Sequence, residues 1–248
     1  MDKQRSLPPL PMDGVERVLC VVAHPDDMEY GASAAVAAWT AVGVEVTYLL
    51  LTRGEAGMAE PPKVVGPLRE TEQRRACAAV GVTDLRYLDH PDGMLEANLS
   101  LRRDIARVIR QVRPQLVLTG NFDVEAYGSL NQPDHREGGL AAADAVRDAG
   151  NPWIFRELRE DEGLEAWNAA ALLVAGHPEP THAVAVEDEH VDAAVASLRA
   201  YEAYLAHITG HPEPEVFIPA ILHEGGAAAG ARAALVVRVY DMGGLGGE

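Results

Sequence analysis

Lysine is almost missing from this chain. Lys3 and Lys63 stand among 21 basic residues, against 38 acidic ones. The formal net charge is -17 and the isoelectric point about 4.9. A balance that acidic excludes the basic face that nucleic-acid phosphates demand, and it argues against an anionic membrane surface. No apolar run reaches the length of a membrane span. Met1 to Asp13 is polar and proline-rich, with neither the apolar core nor the small-residue cleavage site of a secretory signal. A cytoplasmic location is therefore expected. Cysteine is as scarce as lysine, with Cys20 in an apolar run and Cys77 in a helical pattern. Both read as small buried hydrophobes. With no CxxC pair, a thiolate zinc site and a redox motif are excluded. Two nucleotide signatures are absent as well, the GxGxxG dinucleotide turn and the GxxxxGK phosphate loop.

What is present is a regular alternation. Arg17 to Ala23 is a continuous apolar run, the mark of a buried parallel strand. A helix is expected over Met28 to Val42, a strand over Val44 to Thr52, and an amphipathic helix over Pro67 to Val80 closed by Gly81. Then come a strand at Asp84 to Leu88, a helix at Leu99 to Val112, a strand at Gln115 to Thr119 and a helix at Pro133 to Ala149. Beyond it the pattern loosens. Strands are expected at Ala170 to Ala175 and Ala183 to Val186, a helix at Val191 to His207, and a last, edge strand at Arg232 to Tyr240. Gly225 to Ala231 reads as a small-residue loop and Met242 to Glu248 as a disordered tail. Alternating strands and helices predict an α/β, Rossmann-like fold: a mostly parallel sheet with helices on both faces. The length fits a single domain, 1–248, with a core over about 15–150 and a C-terminal elaboration over about 151–240.

The first strand leaves through Ala23-His24-Pro25-Asp26-Asp27-Met28-Glu29. Open α/β sheets bind ligands beyond the carboxyl ends of their strands, where this segment sets one imidazole and two adjacent carboxylates. An Asp pair before a helix ordinarily caps it; His24 in front and Glu29 behind favour chemistry instead. Neighbouring residues point in different directions, so one aspartate can bind a metal while the other stays free. The fourth strand leads through a polar loop, Asn121 to Gln132, into Pro133-Asp134-His135. In the doubly wound order 3-2-1-4-5, strands one and four are neighbours and their loops share one crevice. His24, Asp27 and His135 then converge as a zinc ligand set with a position left for water. Zinc lowers that water's pKa towards ~7, and Asp26, unligated, takes its proton as general base. Fe2+ would suit the same ligands.

These motifs resemble the LmbE-like, PIG-L-type N-acetylglucosaminyl deacetylases. The resemblance rests on Ala23-His24-Pro25-Asp26-Asp27-x-Glu29, Thr52-Arg53-Gly54-Glu55-x-Gly57, Arg69-Glu70-x-Glu72 and Pro133-Asp134-His135, in that order, with a weaker tail at Thr181-His182. It implies a Rossmann-like fold, one zinc held by His24, Asp27 and His135, and Asp26 as the base. It also implies a small amino-sugar substrate and hydrolysis of its acetamide to free amine and acetate. Arg69 matches a position that contacts substrate in such proteins. Arg53 and Glu55, beyond the second strand, are candidates to line the pocket, and Asp92 reads as a turn residue.

One position departs from the family pattern. Where His-Pro-Asp-His is usual, this chain has Gln132-Pro133-Asp134-His135. Gln132 can donate a neutral hydrogen bond to an oxyanion but cannot pass a proton to the leaving amine. Asp26 then carries both transfers, or His182 assists. Two alternatives accompany the deacetylase reading: an amidase for a larger amide, such as an amino-sugar thiol conjugate, and a zinc-stabilised binding module that has lost catalysis. The state of assembly, monomer or homo-oligomer, is open.

Overall fold

A computed structural model describes residues 6–245 of the chain. In order, the elements are β1 (Arg17–Val22), α1 (Ser33–Ala41), β2 (Glu45–Leu50), α2 (Pro62–Ala79), β3 (Asp84–Tyr87), α3 (Leu99–Val112), β4 (Leu116–Gly120), β5 (Glu125–Ala126), β6 (Ser129–Leu130), α4 (Pro133–Ala149), α5 (Arg156–Glu160), β7 (Ala171–Ala175), β8 (His182–Ala185), α6 (Asp188–Arg199), α7 (Glu202–His207), α8 (Pro214–Ala229) and β9 (Ala234–Asp241). One seven-stranded sheet runs β3-β2-β1-β4-β7-β9-β8. Its first five strands are parallel, and β9 lies antiparallel to both β7 and β8.

Strand β1 shows why the apolar run is unbroken. Alternate side chains of a strand point to opposite faces. Val18, Cys20 and Val22 enter one core with Trp39 of α1 and Cys77 of α2. Leu19, Val21 and Ala23 enter another with Ile105 of α3 and Ala145 of α4. A strand covered on both sides has no polar face to offer. Order reverses between β1 and its two neighbours, β2 on one side and β4 on the other, so the crevice beyond β1 and β4 exists as expected.

Helices α3 and α4 have the expected bounds. Asn98 caps α3 by accepting the N–H groups of Ser100 and Leu101, both at 3.0 Å. Helix α2 begins at Pro62 rather than Pro67, because a proline in the first turn needs no donor. Other boundaries differ for local reasons. The helix expected from Met28 starts only at Ser33, because residues 24–32 form a chain of tight turns. The single helix expected over Val191 to His207 is two, α6 and α7, broken where Tyr201 turns inward to complete burial. The expected edge strand is internal: β9 lies between β7 and β8, and β8 is the edge.

The segment expected as a loop, Gly225 to Ala231, is largely the end of α8. Its glycines serve close packing. A Cβ on Gly225 would stand 2.2 Å from the carbonyl oxygen of Ala234, and one on Gly226 would stand 2.6 Å from that of Arg232. The expected disordered tail is partly ordered. The Met242 N–H donates to the Ala170 carbonyl (2.9 Å), and Asp241 accepts from the N–H groups of Gly243 and Gly244. Residues 246–248 of that tail lie outside the described residues. Among the described residues no helix is long and apolar enough to cross a membrane.

Candidate active site and metal centre

Three loops meet beyond the sheet: the one after β1 with His24, Asp26 and Asp27, the one after β3 with Asp92, and the first turn of α4 with Asp134 and His135. One ligand atom from each of His24, Asp27 and His135 lies within 4.8 Å of the others. His135 Nε2 is 3.1 Å from Asp27 Oδ1, and His24 Nδ1 is 3.8 Å from the same oxygen. The remaining atoms of the trio are already committed. Asp27 Oδ2 accepts the His24 backbone N–H at 2.9 Å. His135 Nδ1 pairs with Asn131 Oδ1 at 3.1 Å. His24 Nε2 faces Asp92 Oδ1 at 3.1 Å and Asp134 Oδ2 at 3.3 Å. In the tautomers that satisfy these partners, each imidazole turns a lone pair toward one carboxylate oxygen. Such an arrangement needs a cation or protons at its centre, and it has the outer oxygen partners that orient histidine ligands. The donor set therefore fits a divalent metal.

The electrostatics agree. Burial pulls the His24 pKa down, but hydrogen bonds to Asp134, Asp27 and Asp92 outweigh it and hold the group well above the ordinary imidazole value. His135 is also raised, with Asp27 overcoming burial. Burial would lift Asp27, yet the two histidines hold it far below the carboxylate range. Without metal these side chains gather protons, and a metal would displace them.

A second trio, His24, Asp92 and Asp134, is equally compact. Its carboxylates, however, are engaged elsewhere. Asp134 accepts the N–H groups of Gly93 (2.7 Å) and Leu95 (3.1 Å), and Asp92 accepts that of Ala56 (2.6 Å). Both act as orienting partners of His24.

Asp26 is the strained residue of the site. Its φ is +91°, a region that non-glycine residues seldom occupy. The strain is held by its surroundings: its N–H donates to the Tyr201 hydroxyl (2.9 Å), and its Oδ1 meets Arg69 Nη2 at 3.0 Å. Burial pushes its carboxyl up to about 6, against the pull of Arg69. Beneath it Glu29 is fully buried, accepting from Gln73, Ser197 and Tyr201, and is pushed up to about 7 by burial and by Asp26.

The model of the family described as PIG-L, GlcNAc-PI de-N-acetylase, matches residues 19–146, about half of the chain. The chain belongs to the PIG-L family. Among curated relatives, a diacetylchitobiose deacetylase of Thermococcus kodakarensis is 34% identical over 57% of this chain and 53% of its own length. A 1D-myo-inositol 2-acetamido-2-deoxy-alpha-D-glucopyranoside deacetylase of Kineococcus radiotolerans is 31% identical over 81% of this chain and 69% of its own length. The chain thus spans about half to two-thirds of these relatives. Among solved structures, the N,N'-diacetylchitobiose deacetylase of Pyrococcus horikoshii superposes with a TM-score of 0.80 at 22% identity, covering 93% of this chain and 86% of that one. The 4-carboxy-2-hydroxymuconate hydratase GalB of Pseudomonas putida shares the fold at a TM-score of 0.68 and 16% identity.

Within this PIG-L site the expected residues fare differently. His24, Asp26, Asp27 and His135 come together. Arg69 pairs with Asp26 and donates to the Pro25 carbonyl: it is 2% exposed, so it braces the loop after β1 and has no free face for a substrate. Its guanidinium lies 3.6 Å from the Tyr204 ring centroid. The Arg53-Gly54-Glu55-x-Gly57 motif makes room for it, since a Cβ on Gly57 would sit 2.8 Å from Arg69 Nη1. Arg53 turns away to Asp89 (2.5 Å), and Glu55 accepts the N–H groups of Arg53 and Asp92, bracing its loop. Gln132 is exposed at the N-cap of α4 with no side-chain cap bond.

His182 is not at the site. It begins edge strand β8, four strands from β1, roughly 19 Å away at the usual strand spacing, and its Nδ1 is bound to the Thr181 hydroxyl. Residues whose roles sequence reasoning missed are Asp134, next to His135 in the chain, Asn131, one helical turn before it, and Asp92, read as a mere turn. Tyr201 carried no local signal at all.

Proposed function

We propose that the chain is a metal-dependent N-deacetylase that hydrolyses the acetamide of an N-acetylglucosamine-type sugar to free amine and acetate. The observation that carries this reading is a strained, buried Asp26 held beside, but outside, the His24-Asp27-His135 trio. Those three would hold the metal, zinc by preference for two imidazoles and a carboxylate. When bound, such an ion supplies Lewis acidity, which polarises an acyl oxygen and acidifies water.

The protein's own groups supply the rest. Asp26 accepts a proton from the attacking water. The water oxygen bonds to the acyl carbon, the C–N bond breaks, and Asp26 returns the proton to the leaving nitrogen. A carboxyl lifted to about 6 by burial is well matched to both transfers near neutral pH. Arg69 keeps the carboxylate aimed, and the Tyr201 hydroxyl keeps the backbone in place. Gln132, its amide free of a capping bond, is assigned as neutral donor to the oxyanion. Asp26→Asn should lower turnover on an N-acetylated amino sugar by about 10²–10⁴-fold while bound metal per chain stays constant. Turnover unchanged in that variant would remove Asp26 as the base.

A further inference from the structure

The geometry points to a second half of the substrate site: an apolar cavity that takes an N-acyl chain longer than acetyl. This inference rests on the hydrolase reading, keeps its amino-sugar half and its chemistry, and puts a longer acyl group in place of acetyl as the preferred one. A cavity of about 460 Å³ opens from Asp27 and His135 and runs under the ends of β1, β4 and β7 to α8 and β9. By volume it could hold on the order of fifteen waters, far more than an acetyl methyl fills.

Its wall is apolar, from Val22 and Leu118 of the sheet to Phe217, Ile221 and Leu222 of α8. The polar groups on that wall are largely spent. The Asn121 amide nitrogen donates to the Gly176 carbonyl (3.1 Å), and its oxygen accepts the Asp123 N–H (2.9 Å). The Tyr127 hydroxyl accepts the Asn121 N–H at 3.2 Å, and the Tyr30 hydroxyl is 2.8 Å from His211 Nε2. A sugar ring placed there would leave its hydroxyls unpaired, which is costly. Across β1 from the cavity, the loops after β2 and β3 bring Asp92 to within 3.1 Å of His24 Nε2 with Glu55 behind it, a polar rim suited to a sugar. With the scissile amide at the cluster, the amine half faces that rim and the acyl half enters the cavity.

The roof of the cavity is built deliberately. Strands β5 and β6 form a hairpin whose two turn residues, Tyr127 (φ +55°) and Gly128 (φ +80°), are both left-handed. Glycine or asparagine would be easier at the first of these positions. A tyrosine there accepts strain to set its ring over Gly120 and Gly176. Gly176 supplies the room: a Cβ there would stand 2.6 Å from Tyr127 Cε1, whereas one on Gly120 would meet only the hydroxyl, at an ordinary 3.7 Å. The step itself is ordinary hydrolysis, in which water adds across the C–N bond and gives a free amine and a longer carboxylic acid.

The test has two arms. In the first, metal-loaded enzyme is given N-acetyl- and N-hexanoyl-glucosamine, and released amine is followed. Burying a methylene is worth roughly fourfold, so four more methylenes should raise kcat/KM by up to about 250-fold, and by about 20-fold even if only half of them are buried, chiefly through KM. Gly120→Phe, or Ile221→Trp if the former fails to fold, should collapse that ratio. In the second arm, octanoate binding to the metal-free protein is measured by calorimetry; wild type should bind it and the filled variants should lose at least about tenfold. Equal or better use of the acetyl substrate would overturn the assignment, as would acceleration by an alkyl aglycone instead of an alkyl acyl group. If neither amide is cleaved, the hydrolase reading fails, and the calorimetry alone decides the cavity: binding sustains it and no binding overturns it.

Discussion

Glu29 offers a direct test of how the buried acids load the fold. It is fully buried and accepts three hydrogen bonds, from Gln73 Nε2 (3.3 Å), Ser197 Oγ (3.2 Å) and Tyr201 Oη (3.2 Å). Burial lifts its carboxyl from an ordinary 4.5 to about 7. In that interval the folded chain holds a proton that the unfolded chain has released. Stability therefore falls as pH rises from about 4.5 to about 7 and stays low above. A displacement of that size corresponds to about 3 kcal/mol at most. Glu29→Gln keeps the shape, two of the three accepted hydrogen bonds and no charge. In metal-free protein, urea denaturation should find the variant about 1–3 kcal/mol more stable than wild type at pH 8 and within about 0.5 kcal/mol of it at pH 5. Asp26, lifted to about 6 in the same direction, leaves a residual slope in both proteins, so the difference between them is the quantity that counts. A difference independent of pH, or a variant less stable at pH 8 than at pH 5 relative to wild type, would refute the buried-acid account.

Three further outcomes follow from named contacts. Asn131→Ala removes the partner of His135 Nδ1 and should weaken metal affinity by about 10- to 100-fold in chelator competition, with the fold kept. Gly57→Ala would set a Cβ 2.8 Å from Arg69 Nη1; by moving the brace of Asp26 it should lower kcat by about tenfold or more with metal content unchanged. His182→Ala, on the far edge strand, should leave kcat and KM within about twofold, as a surface substitution does; a loss beyond tenfold would return it to the mechanism.

The parts of the fold that were legible are those where one physical demand fixes the residue type. A strand covered on both faces must be apolar along its buried length, and Val18 to Val22, VLCVV, is. Helices α3 and α4 announce their ends through Asn98, Pro133 and the stops that follow. A metal site demands imidazole and carboxylate, and His24, Asp27 and His135 stand where strand ends must place them. The misread parts answer to packing rather than to type. Gly225 and Gly226 look like a flexible loop, yet they are flush against Ala234 and Arg232 because any Cβ would collide. Tyr201 sits in a helical pattern whose periodicity gives no warning that the helix must break to send its hydroxyl to Asp26. His182 is a candidate because it stands just before a strand-like run, and only the sheet order reveals that two strands, β7 and β9, separate β8 from β4.

His24, Asp26, Asp27 and His135 lie wholly within the family-matched stretch, residues 19–146. The groups that hold Asp26 in its strained backbone and seat Glu29, namely Ser197 and Tyr201, come from beyond it. So do Phe217, Ile221 and Leu222, and with β9 they close the apolar cavity. On the proposed reading the reacting groups come from the first part of the chain, while the wall that would receive the acyl group is shared between Val22, Leu118 and Tyr127 of that part and α8 and β9 of the second. Substitutions on α8 or β9 would then change the proposed acyl cavity without touching His24, Asp26, Asp27 or His135. Substitutions at the α6–α7 junction cannot do so cleanly, because the Tyr201 hydroxyl serves both Asp26 and Glu29.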